Sequence, residues 1–245
     1  MDNGLFVIFH PFFIYSESKF IIATFIETMS LIKLEKIMSR PDVSFYLAHF
    51  TSNKFPKGYK NDGNPTNEYM RTPAIKRLEN ILREKKIIAS VLPWSGKKAV
   101  CLTECPWTSL VEHTKQYSSY GIGFNKKFIF VAGGGPAYYV RADYFDHQQW
   151  SGNAMTFVTP FWPKYASQKQ KEQTTFPLCD YTHEREWRIP HDLTFDYNDI
   201  EFIVLENYKD MAQFPQELKD AIGREKFLLM DNYTKIETLW PVHNL

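Results

Sequence analysis

The sequence predicts an α+β fold, and three observations carry that reading. The chain has 245 residues, of which 44% are hydrophobic, so it holds one or at most two domains with a real core. Strand-like runs occur as short, scattered pieces rather than in regular strand–helix alternation, which disfavours a doubly wound sheet. Helical runs with apolar residues at 3.6-residue spacing lie between them.

Each element has its own signal. "VSFYLAHF" (43–50) alternates and is rich in β-branched and aromatic residues, so it predicts a strand. "SNKFPKGYKNDGNPTNEYMRTP" (52–73) is dense in Gly, Pro and Asn and predicts a long loop, a feature that in a compact domain is usually functional or mobile. "PAIKRLENILREKKI" has Pro73 at its first turn and Ile75, Leu78, Ile81 and Leu82 at helical spacing. "AVCLTE" is a short strand ended by Pro106, "WTSLVEHTKQYS" a helix and "YGIGF" a strand. "NKKFIFVAGGGPAYYV" predicts a short helix stopped by Gly133 to Gly135, then a strand from Ala137 to Val140. Residues 147–178 are polar and aromatic around a helical middle. A strand around 184–189, the run "DIEFIVL", one or two short helices in "KDMAQFPQELKDAIG", and the runs "EKFLLM" and "KIETLW" complete the chain.

The formal net charge of +1 gives no support to broad electrostatic binding of nucleic acid. Cys101, Cys105 and Cys179 are an odd count; the CxxxC spacing has no second pair to make a zinc set, so free thiols in a reducing cytosol are expected, and no metal site. Residues 1–37 form an apolar extension in two blocks split by Ser16 to Lys19, each shorter than the ~20 residues of a membrane helix. They read as a packed layer, or as an extension ahead of a start near Met38, in preference to an interfacial anchor. No membrane contact through 1–37 is expected, and 38–245 reads as a single domain.

The triple glycine does not match the dinucleotide fingerprint and follows a helix instead of a strand. HExxH, Walker A and GxSxG patterns do not occur, and His113, His147 and His191 lack metal spacing. Three groups remain. His49 and Thr51 close the first strand just before the long loop: a satisfied structural pair, or hydrogen bonds at a cleft mouth. Tyr120, Tyr138 and Tyr139 lie on or beside strands: core aromatics, or a stacking surface for a flat heterocycle. In "HEREWRIP" (183–190), Glu184, Glu186 and Arg188 fall two apart, hence in one row if the segment is extended, with Trp187 and Ile189 on the other face. Two like charges on one strand face need a cation or a task. A metal-dependent nuclease could also use that pair, but clear Asp and Lys companions at strand spacing are missing.

Taken in order, "YLAHFT", "VCLTECP", "YGIGFNKKF", "GGGPAYYV" and "HEREWRIP" resemble the AbiGi-type abortive-infection family of phage-resistance proteins. More distantly they resemble ADP-ribosyltransferases, including the DarT group. The similarity runs from about Phe45 to about Leu205. It implies an ADP-ribosyltransferase-like core: two small antiparallel sheets around a cleft, with flanking helices, binding NAD as substrate. His49, followed by Thr51, then matches the first-strand position; Tyr139 or Tyr120 serves the middle strand. Glu186 matches the late catalytic acid, and Glu184 the earlier acid of a Glu-x-Glu pair that orients an acceptor. Arg71, ending the long loop, is the candidate basic residue. The implied function is an NAD-dependent ADP-ribosyltransferase, or an NAD-consuming relative, acting in anti-phage defence or as a toxin in the cytoplasm. The acceptor stays open between protein, nucleic acid and water, as does a partner protein of a defence or toxin–antitoxin system. The competing expectation is a non-catalytic binding or sensor protein on the same scaffold.

Overall fold

The computed structural model describes residues 43–52, 72–104, 107–163, 165–166 and 179–239. The chain divides into two units, 1–43 and 44–245, and the second holds the elements named below. The apolar extension 1–37, Arg71 and Cys105 lie outside the described residues.

Strand β1 (Tyr46–Phe50) forms where its sequence suggests and buries Leu47, Ala48 and Phe50. Helix α1 (Ala74–Glu84) begins after Pro73 and buries Leu78, Ile81 and Leu82; Lys85 stops it in the left-handed region at φ 49°. Two short strands, β2 (Lys86–Ile87) and β3 (Ser90–Val91), lead into β4 (Lys98–Thr103). Helix α2 (Trp107–Gln116) then returns the chain to β5 (Gly121–Asn125).

Asn125 caps helix α3 (Lys126–Val131), its side chain accepting the Lys127 N–H, which satisfies one of the free donors of the first turn. The helix ends on the triple glycine. Gly133 adopts φ +85°, and a Cβ on Gly134 would meet the Ile129 carbonyl at 2.8 Å, so both positions need glycine. Strand β6 (Gly135–Pro136) follows, then β7 (Tyr138–Arg141), α4 (Ala142–Asp146), α5 (Ala154–Phe157) and β8 (Val158–Phe161). After a 3₁₀ turn at Thr182–Glu184 come β9 (Glu186–Ile189) and β10 (Leu193–Thr194). The chain closes with β11 (Ile200–Leu205), α6 (Tyr208–Gln213), α7 (Gln216–Ile222), β12 (Phe227–Leu229) and α8 (Met230–Leu239).

The molecule is α+β. Its main sheet has the order β12-β11-β5-β1-β4-β9-β6, with β3 also on β4, while β10–β2 and β7–β8 are separate pairs. Among the described residues the strands thus gather into one eight-stranded sheet and two two-stranded pairs, with β11–β12 and β7–β8 parallel, where the resemblance implies two small antiparallel sheets. Leu47, Leu102, Ile122, Phe124, Ile189 and Ile203 pack with α1 and α7 residues on one side of the main sheet. Ala48, Phe50, Leu110, Val204 and Met230 form a second cluster. Since alternate residues of β1 join different clusters, the sheet is covered on both faces. Among the described residues no helix is long and apolar enough to cross a membrane.

Candidate functional site

The middle of the main sheet brings three sequence-distant segments side by side. Ala48 of β1 pairs with Thr103 of β4, and Thr103 pairs in turn with Glu186 of β9. Antiparallel alternation puts Cys101, Thr103, Glu186 and Arg188 on one face. A cleft of about 390 Å³ opens there, lined among others by His49, Trp94, Cys101, Thr103, His113, Tyr117, Tyr181, Glu184 and Glu186. The early histidine and both late carboxylates therefore share one pocket.

His49 belongs, by alternation, to the opposite row from Ala48 and Phe50. It sits at the open end of β1, and its Nδ1 turns to the Cys101 carbonyl at 2.8 Å. A carbonyl can only accept, so Nδ1 carries the proton and Nε2 presents a lone pair. Burial lowers the pKa of the ring, against the opposing effect of that hydrogen bond, and the imidazole is neutral at neutral pH.

Glu186 starts β9 and is buried. Arg188, fully buried, grips it with two N–H donors: Nε to Oε1 at 3.0 Å and Nη2 to Oε2 at 2.6 Å. Its other donors go to the carbonyls of Thr156 and Val158 and to Thr159 Oγ1. All five N–H groups of the guanidinium are used, so Arg188 orients Glu186 and is not offered to a ligand.

Glu184 differs from expectation. It does not sit in a strand row with Glu186. It ends the 3₁₀ turn, Arg185 follows in the left-handed region at φ 45°, and the strand begins only at Glu186. Two buried carboxylates beside each other in a regular row repel; the turn swings Glu184 onto the cleft wall instead. Its backbone carbonyl accepts from Thr103 Oγ1 at 2.5 Å, and its Oε1 from the Tyr117 hydroxyl at 2.9 Å. Burial lifts the Glu184 carboxyl from near 4.5 to about 7; the Tyr117 hydrogen bond opposes the rise, the Glu186 charge adds to it and Arg188 counters. A carboxyl poised there can take or give a proton near neutrality.

Three other candidates fall away from the cavity. Thr51 is buried, with Oγ1 within 3.2 Å of the Ala74 carbonyl, Ser118 Oγ and the Tyr120 carbonyl; it ties the end of β1 to α1 and to the approach to β5. It lies one residue past the end of β1, so strand alternation no longer aligns it with His49, and these three partners fix its direction. The Tyr120 hydroxyl is held by Glu206 and Asp210 at 3.1 and 2.9 Å, outside the cleft lining. Tyr139 is absent from the lining as well: its hydroxyl donates to the Tyr181 carbonyl at 3.1 Å and lies 3.4 Å from the Glu186 backbone nitrogen. It supports the backbone behind the carboxylate. Arg71 lies outside the described residues.

The aromatic walls come from residues that sequence reasoning passed over. Tyr117 stacks on His113 with ring centroids 4.6 Å apart and planes 23° from parallel, and burial pushes the Tyr117 phenol up and the His113 ring down to about 4. Their four-residue spacing along α2 and its end was the available signal. Trp94 had no periodic context to mark it. Cys101, also in the lining, is raised well above an ordinary thiol by burial and by Glu186, which makes it a poor nucleophile. Cys101 and Cys179 are free thiols. Among the described residues no group of three or more His, Cys, Asp or Glu is arranged to hold a metal ion.

Compared with family models, curated proteins and solved structures, the chain gives no match.

Proposed function

We propose that the protein is an NAD-dependent ADP-ribosyltransferase or an NAD-consuming relative, acting in anti-phage defence or as a toxin. One observation carries the reading: His49 and Glu186, 137 positions apart in the sequence, line the same cleft. Breaking the nicotinamide–ribose bond builds positive charge on the ribose, as in glycoside cleavage. Glu186, fixed by Arg188 on both oxygens, supplies an oriented negative group for that charge and for the ribose 2′-hydroxyl. The nicotinamide leaves as a neutral base from a cationic ring, so no strong acid is needed. Aromatic rings and the His49 Nε2 acceptor suit the holding of the ring and its amide. Glu184, with its carboxyl at about 7, suits deprotonation of an incoming acceptor, whether protein, nucleic acid or water. The ADP-ribosyltransferase-like core and the defence role rest on the resemblance of the sequence motifs.

The test is Glu186→Gln with labelled NAD. Removing one well-placed charge-stabilising group costs ~10²–10³ in rate, so nicotinamide release is expected to collapse while the circular dichroism spectrum stays that of the wild type. Wild-type protein that neither binds NAD calorimetrically nor releases nicotinamide would leave a non-catalytic binding protein as the reading.

A further inference from the structure

The cleft has one wall that the proposed chemistry does not use. Trp94 lines it, on the turn joining β3 to β4. That turn is closed by Leu92 N–H to the Lys97 carbonyl at 2.7 Å and Gly96 N–H to the Leu92 carbonyl at 2.9 Å, with Gly96 at φ +66°. The indole N–H donates to the Val158 carbonyl at 2.9 Å, which fixes the ring's rotation. One ring face is covered by the Arg188 guanidinium, 4.9 Å from the ring centroid. A half-buried aromatic ring, held at its N–H and backed on one side, is preorganised for stacking on the other and loses little entropy on doing so.

We infer that Trp94 is the platform for the adenine ring of the dinucleotide. The inference rests on the proposed NAD chemistry and assigns its orientation in the cleft. Charge decides between the two rings. NAD has two planar rings, a neutral, electron-rich adenine and a cationic nicotinamide. A cation is attracted to an indole face by the ring's negative quadrupole. Arg188 already draws on that electron density from behind, so a second cation on the front is disfavoured and a neutral, electron-rich ring is favoured. The cationic ring has a better place elsewhere in the lining, where Tyr117 and His113 stack next to Glu184 and Glu186. With every Arg188 donor committed to protein acceptors, the guanidinium offers a ligand no hydrogen bond, and it bears on a ring stacked at Trp94 from behind the indole.

The experiment is calorimetric titration of the full chain with AMP and, separately, with nicotinamide, alongside wild-type NAD turnover. Base–aromatic stacking is worth ~1–3 kcal/mol by alanine substitution, so Trp94→Ala is expected to weaken AMP binding about tenfold or more and to leave nicotinamide binding unchanged. Trp94→Phe, which keeps a ring on Arg188, is expected to fall between. In the wild type, nicotinamide is expected not to displace AMP, a measurement independent of any variant's folding. Turnover of NAD with AMP affinity equal in Trp94→Ala, or AMP displaced by nicotinamide, overturns the adenine assignment and leaves the NAD reading standing. AMP binding that depends on Trp94 without any NAD turnover keeps the purine site and removes the transferase reading. Absence of both AMP binding and NAD turnover removes both.

Discussion

Arg188 holds Glu186 by a fork, Nε to Oε1 at 3.0 Å and Nη2 to Oε2 at 2.6 Å, with the arginine side chain fully buried and the glutamate nearly so. The remaining donors bind the Thr156 and Val158 carbonyls and Thr159, so one side chain links β9 to the segment that carries α5 and β8. Losing one partner of a buried pair leaves an uncompensated charge, at about 3–5 kcal/mol. Arg188→Met is expected to lose stability in that range in urea unfolding. Arg188→Lys keeps the charge without the planar fork and is expected to lose less. A loss below about 1 kcal/mol for the methionine variant would show that Glu186 does not depend on the guanidinium.

Glu184 gives stability a pH dependence of opposite sign to that of most carboxylates. Its carboxyl stands at about 7 in the folded chain, raised chiefly by burial, against an ordinary value near 4.5. The folded state therefore binds this proton more tightly than the unfolded state. The contribution is complete below about pH 4.5 and is lost as the pH rises to about 7. Gln at 184 imitates the protonated form at every pH. The urea midpoint of Glu184→Gln minus that of the wild type is expected to grow between those two pH values and to level off above. A difference that is flat with pH would show that Glu184 does not titrate there.

Periodicity made part of this legible in the sequence. Leu78, Ile81 and Leu82 announce α1, Trp187 and Ile189 alternate with Glu186 and Arg188 as a strand requires, and Gly133 and Gly134 end α3 for the steric reason their sequence context suggested. His49, Glu184 and Glu186 do meet in one cleft. Tertiary contact set the rest. Glu184 takes a turn because its neighbours across β4 and α2, Thr103 and Tyr117, hold it there. The burial of Arg188 depends on acceptors from Thr156 to Thr159, about 30 residues away, and no local pattern records them. Thr51 and His49 are two apart at a strand end, yet the one closes a backbone junction and the other lines the cavity.

That separation makes Thr51 a control for the site. Its hydroxyl lies among the Ala74 and Tyr120 carbonyls and Ser118, so Thr51→Val removes a buried hydroxyl, while the Tyr120 carbonyl keeps the Thr51 backbone N–H and Ser118 keeps the Thr51 carbonyl. The expected cost is about 0.5–1.5 kcal/mol of stability, seen as a lower urea midpoint. Binding of NAD per folded molecule, measured by calorimetry below the unfolding transition, is expected to stay within about twofold of wild type. Weaker binding without lost stability would return Thr51 to the cleft.

The hydroxyl of Tyr117 is the last lever on Glu184, because it donates to Oε1 at 2.9 Å and so favours the charged carboxylate. Tyr117→Phe deletes that donor and keeps the ring that stacks on His113 at 4.6 Å. With burial and the Glu186 charge left unopposed by the hydrogen bond, the Glu184 carboxyl is expected to titrate above its present value of about 7. Carbon-13 titration of labelled glutamate carboxyls, with Glu184→Gln to assign the resonance, reads the shift directly. The stability loss is expected to be about 1 kcal/mol at about pH 8, where the carboxylate loses its donor, and smaller at about pH 5, where the protonated acid needs it less. A Glu184 resonance unmoved by Tyr117→Phe would mean that the Tyr117 hydroxyl has no part in setting its proton affinity.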